Sequence, residues 1–175
     1  METSDILKYS DELDKSLGIA GMSIALLACD GHNCIASVSL NDSDPFLEFS
    51  PDAFFVANPR YSAKLAWSQL LRQLQLFSGM LIGNVMCRYY TAHRAMQSDL
   101  IDNLHDIIVE HALELCDLDN DEIESLFNKD ILYFRRLFNH PSVAEVAKDF
   151  ASTLRAQRRM TSGDIYESLL RLSSL

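Results

Sequence analysis

The sequence predicts a mainly α protein (α+β): a multi-helix bundle around a long central helix, with a small N-terminal antiparallel β-hairpin or three-stranded sheet. Three observations carry this. Residues 65–96 form the longest helix-compatible run, apolar on almost every side in its middle. The segments after residue 98 repeat apolar residues at helical spacing and carry recognisable caps. Only residues 22–49 alternate at the period of a strand.

In chain order, Ser4 or Asp5 caps a first helix, with Ile6, Tyr9, Leu13 and Leu17 at helical spacing and Gly18 as its stop. Two strands are expected over 22–29 and 34–40. Met22, Ile24, Leu26 and Ala28 would share a face with Cys34, Ala36, Val38 and Leu40, across an Asp30-Gly31 turn. Residues 46–49 would add a third strand. Ser50-Pro51 opens a short helix to Ala57, and Asn58-Pro59 opens the central one.

The central run has an amphipathic beginning. Lys64, Ser68, Arg72 and Gln75 form a polar stripe opposite Trp67, Leu70, Leu71 and Leu74. From 76 to 87 that stripe vanishes, so this part must be covered all round. Gly79 and Gly83 form a GxxxG pair there, but the apolar zone is shorter than the roughly 20 residues a membrane crossing needs. The small residues are expected to admit another helix closely or to mark a bend. Residues 59–97 as one straight helix would run roughly 58 Å, against a radius of gyration near 16 Å for a compact chain of this length. Either the helix bends near Gly79 to Asn84, or a second chain covers its excess length.

Further helices are expected from Ser98 or Asp99 to Leu115, and from a cap at Asp119 or Asp121 towards Asn139. Another runs from Pro141 and a Ser142-x-x-Glu145 capping box to about Arg159. A last helix over 165–172 follows a Thr161-to-Asp164 cap. No linker divides the chain, so 1–175 reads as one domain, with 1–50 its helix-and-sheet part and 51–175 its bundle.

With 175 residues, 48 % hydrophobic and 23 % charged, the chain has an ordinary globular composition. Its formal net charge of −10 opposes a nucleic-acid partner or an anionic membrane surface and favours a basic protein segment. Cys29, Cys34, Cys87 and Cys116 show no CxxC spacing. Cys29 and Cys34, flanking the expected turn, are either two reduced thiols or, in an oxidising compartment, a disulfide. Leu26-Leu27-Ala28-Cys29 loosely resembles a lipoprotein cleavage box, yet residues 1–17 hold two lysines against five acids, the opposite of an export signal. The cytoplasm is the expected location.

Each candidate for chemistry has a plainer reading. On a helix, Asp99, Asp102, Asp106, Glu110 and Glu114 form one solvated stripe; His105 lies off it and His111 falls on the apolar face, so no metal site is expected. Asp117, Asp119 and Asp121 match the start of a calcium loop, but Glu122 stands where glycine is needed and Asn128 where a bidentate glutamate belongs. No cofactor is implied. Arg135, Arg136, Arg155, Arg158 and Arg159 read as solvated faces with ion pairs, or as a basic patch for an acidic partner.

Two spacings, Arg88 to His93 and Arg135 to His140, resemble the Arg-x4-6-His motif of HEPN-type helical ribonucleases. That resemblance implies an RNA-cleaving pair, with Arg88 and His93 as its catalytic residues, acting across a dimer. The element order over 4–49 resembles the start of small acidic type III secretion chaperones, from which the long helices that follow depart. Acidic charge, an over-long helix and the lack of a catalytic signature together favour a non-catalytic interaction protein of the adaptor, chaperone or regulator type. It would act through helical and apolar surfaces as a homodimer, with a protein partner, no nucleic acid and no membrane; the HEPN-like ribonuclease is the alternative.

Overall fold

A computed structural model describes residues 8–51, 53, 63–92, 98–116 and 118–172. Among them are six α-helices and a small antiparallel sheet: α1 (Glu12–Ala28), β1 (Ile35–Ser39), β2 (Leu47–Phe49), α2 (Ala63–Thr91), α3 (Ser98–Leu115), α4 (Asn120–Phe138), α5 (Pro141–Gln157), β3 (Arg159–Thr161) and α6 (Ser162–Leu169). The protein is mainly α, as its sequence predicts. Most of the expected short helix, residues 52 and 54–57, and the ends of the central one, 59–62 and 93–97, lie outside the described residues.

α2 is the axis. It packs against α1, α3, α4 and α5, and it runs unbroken through Gly79 to Asn84. Ser78 through Cys87 are all buried, matching the zone where the polar stripe is lost. Its 29 residues span about 44 Å. Part of the length beyond the main core is covered within the chain: Leu74 joins Ala112, Cys116 and Ile123 in a satellite cluster, roofed by the α3–α4 hairpin, while Leu65 and Trp67 stay exposed.

Gly79 of α2 faces Phe134 of α4, whereas Gly83 lies against α1, and at α1 the sequence reading needs correction. Residues 22–28 are not a strand; they belong to one helix capped by Asp11, whose carboxylate accepts from the Asp14 backbone N–H at 2.8 Å. Gly18 does not stop that helix. A Cβ on Gly21 would fall 2.1 Å from the Gly83 carbonyl oxygen, and one on Gly83 would fall 2.5 Å from the Gly21 carbonyl. The two backbones touch, so the close crossing is real and only glycine fits it. α1 ends at Ala28 with Cys29 as its C-cap, and Asp30 just beyond takes a left-handed conformation (φ 55°) tolerated by Asp after a helix. The Asp30-Gly31 step therefore closes a helix instead of turning a hairpin between 22–29 and 34–40, and the antiparallel pair that follows α1 joins residues 35–39 to 47–49.

The sheet has order β2-β1-β3. Strand β1 pairs antiparallel with β2 (Val38 opposite Leu47) and with β3 (Val38 opposite Met160). The strand expected at 46–49 is present, but the third strand comes from the far end of the chain. Arg159 bridges the sheet, donating to Ser37 Oγ and Glu48 Oε2. Helix starts follow their caps. Asp119 and Glu122 form a capping box for α4, as Thr161 and Asp164 do for α6. The box expected from Ser142 and Glu145 does not form, because Pro141 occupies the first turn and His140 is the N-cap.

Candidate functional site

The first half of α2 leaves the core and, with α4, frames a cleft of about 830 Å³. Leu74 meets Ile123 in the satellite cluster, and further along both helices Ser78 donates to Asp130 at 2.7 Å, so the two helices run in the same direction. The floor is apolar and buried: Leu74, Ile108, Ile123 and Phe127. The walls are Leu71, Trp67 at 37 % exposure and Leu126 at 38 %, large apolar side chains that the fold leaves at the surface. Asp119, Asp121, Glu122 and Asp130 line it against Lys129 and Arg72, whose guanidinium reaches the Asp30 carbonyl. The cleft is therefore an apolar trough with a mainly acidic margin.

Asp130 sits at the half-buried end of the cleft, where it accepts the Ser78 hydrogen bond. Burial pushes its carboxyl above the usual range, against the opposing Ser78 hydrogen bond and nearby Lys129. A carboxyl raised in the folded state binds its proton more tightly there, so its contribution to stability falls as pH rises from the unfolded value near 3.9. Asp130→Asn, which keeps an acceptor for Ser78, should thus be more stable than wild type at pH 7, and the gain should vanish at pH 3 in urea melts.

Other sequence candidates land elsewhere. The acidic residues of α3 are exposed, as the helical projection expects. His111 stacks on Phe77 (ring centroids 3.9 Å apart) beside a second apolar cleft with Phe46 and Phe49, and desolvation lowers its pKa, against the pull of Glu114. His105 packs edge-on to Phe127. Asp119 serves as a helix cap, and Asp117 lies outside the described residues. Among the described residues no three His, Cys, Asp or Glu side chains converge on a metal position, and no helix is long and apolar enough to cross a membrane. The four cysteines are free thiols; burial pushes Cys29 to about 11 and Cys87 to about 12, which leaves both protonated and poor nucleophiles near neutral pH.

His93 lies outside the described residues. Arg88 is half-buried and held by α1: its Nε and Nη2 take the two oxygens of Asp14 at 2.8 and 2.7 Å, Nη2 also reaches the Lys8 carbonyl, and its carbon sits 4.8 Å from the Tyr9 ring centre. Arg135 and His140 are exposed on and beyond the end of α4. The C-terminal arginines are largely paired: Arg155 and Arg158 with Glu12, Arg159 with Glu48, and Arg171 with Asp149.

The sequence reading placed Trp67 and Leu71 on the apolar face of α2 but did not single them out as a site. The signal was there in the polar stripe, which stops where the helix enters the core. The chain matches no protein-family model, no curated protein and no solved structure.

Proposed function

We propose that this protein is a non-catalytic, acidic interaction module of the adaptor, chaperone or regulator type, working through helical and apolar surfaces in the cytoplasm. The observation that carries the reading is the α2–α4 cleft, with Trp67 and Leu126 exposed over a buried apolar floor. Contiguous apolar surface of this kind is a marker of association, because leaving it in water forgoes about 25 cal/mol per Å² that a partner would recover. The net charge of −10 keeps such a surface soluble and selects against acidic partners. The free thiols fit a reducing compartment. A homodimer belongs to the same reading, since a second copy is itself a candidate for covering apolar surface.

The test is capture with the tagged full chain, compared with Trp67→Ala and Leu126→Asp. Both positions are more than a third exposed, so both variants should keep wild-type helical circular dichroism. The expected result is a stoichiometric partner retained by wild type and lost by both variants, or, for self-association, a dimer in light scattering that the variants reduce to monomer. Equal retention by all three proteins would move the interaction away from the cleft and sink this reading of it.

A further inference from the structure

Resting on the interaction reading, we infer that the α2–α4 cleft receives one amphipathic helix of a partner protein, apolar along one stripe and carrying Lys or Arg beside the N-terminus of α4. Length, shape and charge each contribute. From Trp67 to Ser78 the cleft follows roughly 17 Å of α2, about three turns of helix. A trough between two helices running in the same direction suits a third helix, whose residues at i, i+3/i+4 and i+7 would reach Trp67, Leu71 and Leu126 while its other face stays wet. An extended strand would need unpaired backbone to dock on, and both walls are helices whose backbone groups are satisfied internally.

Charge then selects the sequence of the occupant. Asp119, Asp121 and Glu122 lie together at one end of the cleft, on the first turn of α4 and its cap. Asp119 and Glu122 direct one oxygen each to the capping box, which leaves their second oxygens and the exposed Asp121 to face a cation. Of the basic side chains that line the trough, Lys129 lies about two turns further along α4, and Arg72 of α2 gives its guanidinium to the Asp30 carbonyl. An acidic helix would meet like charge there; a basic one gains both steering and register.

Trp67 is the single tryptophan of the chain, so its fluorescence reports the cleft directly. The probes are two synthetic peptides of about 14 residues with the same leucine stripe, one with lysines and one with glutamates on its flanks. The lysine peptide should shift Trp67 emission to the blue, saturably, and bind at least about tenfold more tightly than the glutamate peptide; added salt should narrow the gap. Asp121→Lys should weaken the lysine peptide and leave the glutamate peptide equal or stronger. Equal binding of both peptides would overturn the charge assignment. Binding of neither, while the full chain still captures a partner through Trp67 and Leu126, would overturn the helical occupant and leave the interaction reading standing. A concentration-dependent blue shift without peptide, abolished by Leu126→Asp, would identify a second copy as the occupant and overturn the proposal.

Discussion

Alanine at Gly21 is expected to cost about 3 kcal/mol or more, an unusual loss for the addition of one methyl group. The new Cβ would lie 2.1 Å from the Gly83 carbonyl oxygen and 2.5 Å from Cys87 Cβ. Backbone cannot rotate away as a flexible side chain would, so α1 and α2 must separate. Separation loosens two helices buried on all sides at the crossing, with Ile19, Ile24, Ile82 and Val85 at 1 % exposure or less. Gly83→Ala should be similarly damaging, since its Cβ meets the Gly21 carbonyl at 2.5 Å and Ala25 Cβ at 2.6 Å. The double variant should lose less than the sum, because helices already spread by one methyl have room for the second. Gly163→Ala is the control: its nearest neighbour would be Thr161 Oγ1 at 3.8 Å, and its effect should stay within about 0.5 kcal/mol. Urea denaturation at pH 7 reads all four. An unchanged midpoint for Gly21→Ala would mean that the crossing is not as tight as described.

The same crossing explains what was hard to read in the sequence. Ser16 through Leu26 are buried on every side, so α1 has no polar stripe to set its period. Met22, Ile24, Leu26 and Ala28 then share the phase of a strand's apolar face, with Ser23 and Ala25 between the first three, and imitate a strand. Gly18 and Gly21 look like helix breakers because their use, contact with Asn84 and Gly83, lies more than sixty residues away. Helices α3, α4 and α6 were legible for the opposite reason: each is half exposed, and α4 and α6 begin with local capping boxes. Strand β3 had no local signal at all. Three residues between two helices, exposed–buried–exposed, become a strand only because β1 waits over a hundred positions earlier.

The cleft was half legible. Its α2 wall follows from where the polar stripe of Lys64, Ser68, Arg72 and Gln75 ends. Its α4 wall does not, because nothing in the sequence says that α4 lies parallel to α2 and not across it. What makes the trough is a mismatch of length: α2 outruns the main core, and the α3–α4 hairpin covers its satellite cluster without closing over Trp67. A surface generated in this way is available for binding without being part of the stabilising core. Substitutions at Trp67 or Leu126 should therefore test the proposed association without disturbing the fold, whereas those at the glycine crossing should not.

Arg88 is the residue at which the interaction and ribonuclease readings diverge most sharply. Its side chain is 12 % exposed and that of Asp14 is 17 % exposed, and the pair is bidentate, joining the start of α1 to the end of α2 across 74 positions of sequence. The Asn84 side-chain oxygen Oδ1 accepts a further bond from Arg88 Nη1 at 3.3 Å, while Asn84 Nδ2 donates to Tyr9 Oη. Truncating one partner strands a carboxylate in a poorly hydrated place, so Arg88→Ala should cost about 2–4 kcal/mol, and Arg88→Lys should restore only part of it because lysine cannot span both oxygens. The pH dependence is specific. Burial pushes the Asp14 carboxyl upward, but the hydrogen bonds from Arg88 and from the Ser10 backbone outweigh it and hold the pKa below the ordinary value. A carboxyl lowered in the folded state stabilises above its unfolded pKa, near 3.9, and that contribution is lost as pH falls through the folded value. The gap between wild type and Arg88→Ala should therefore be full at pH 7 and shrink at pH 3, and Asp14→Ala should abolish most of the further effect of Arg88→Ala in a double-mutant cycle. A catalytic arginine predicts a different outcome: an Arg88→Ala protein of near wild-type stability that has lost an RNA-cleaving activity present in the purified parent. Denaturation at the two pH values, beside an RNA-cleavage assay on the same preparations, decides between a structural tie and a reacting group.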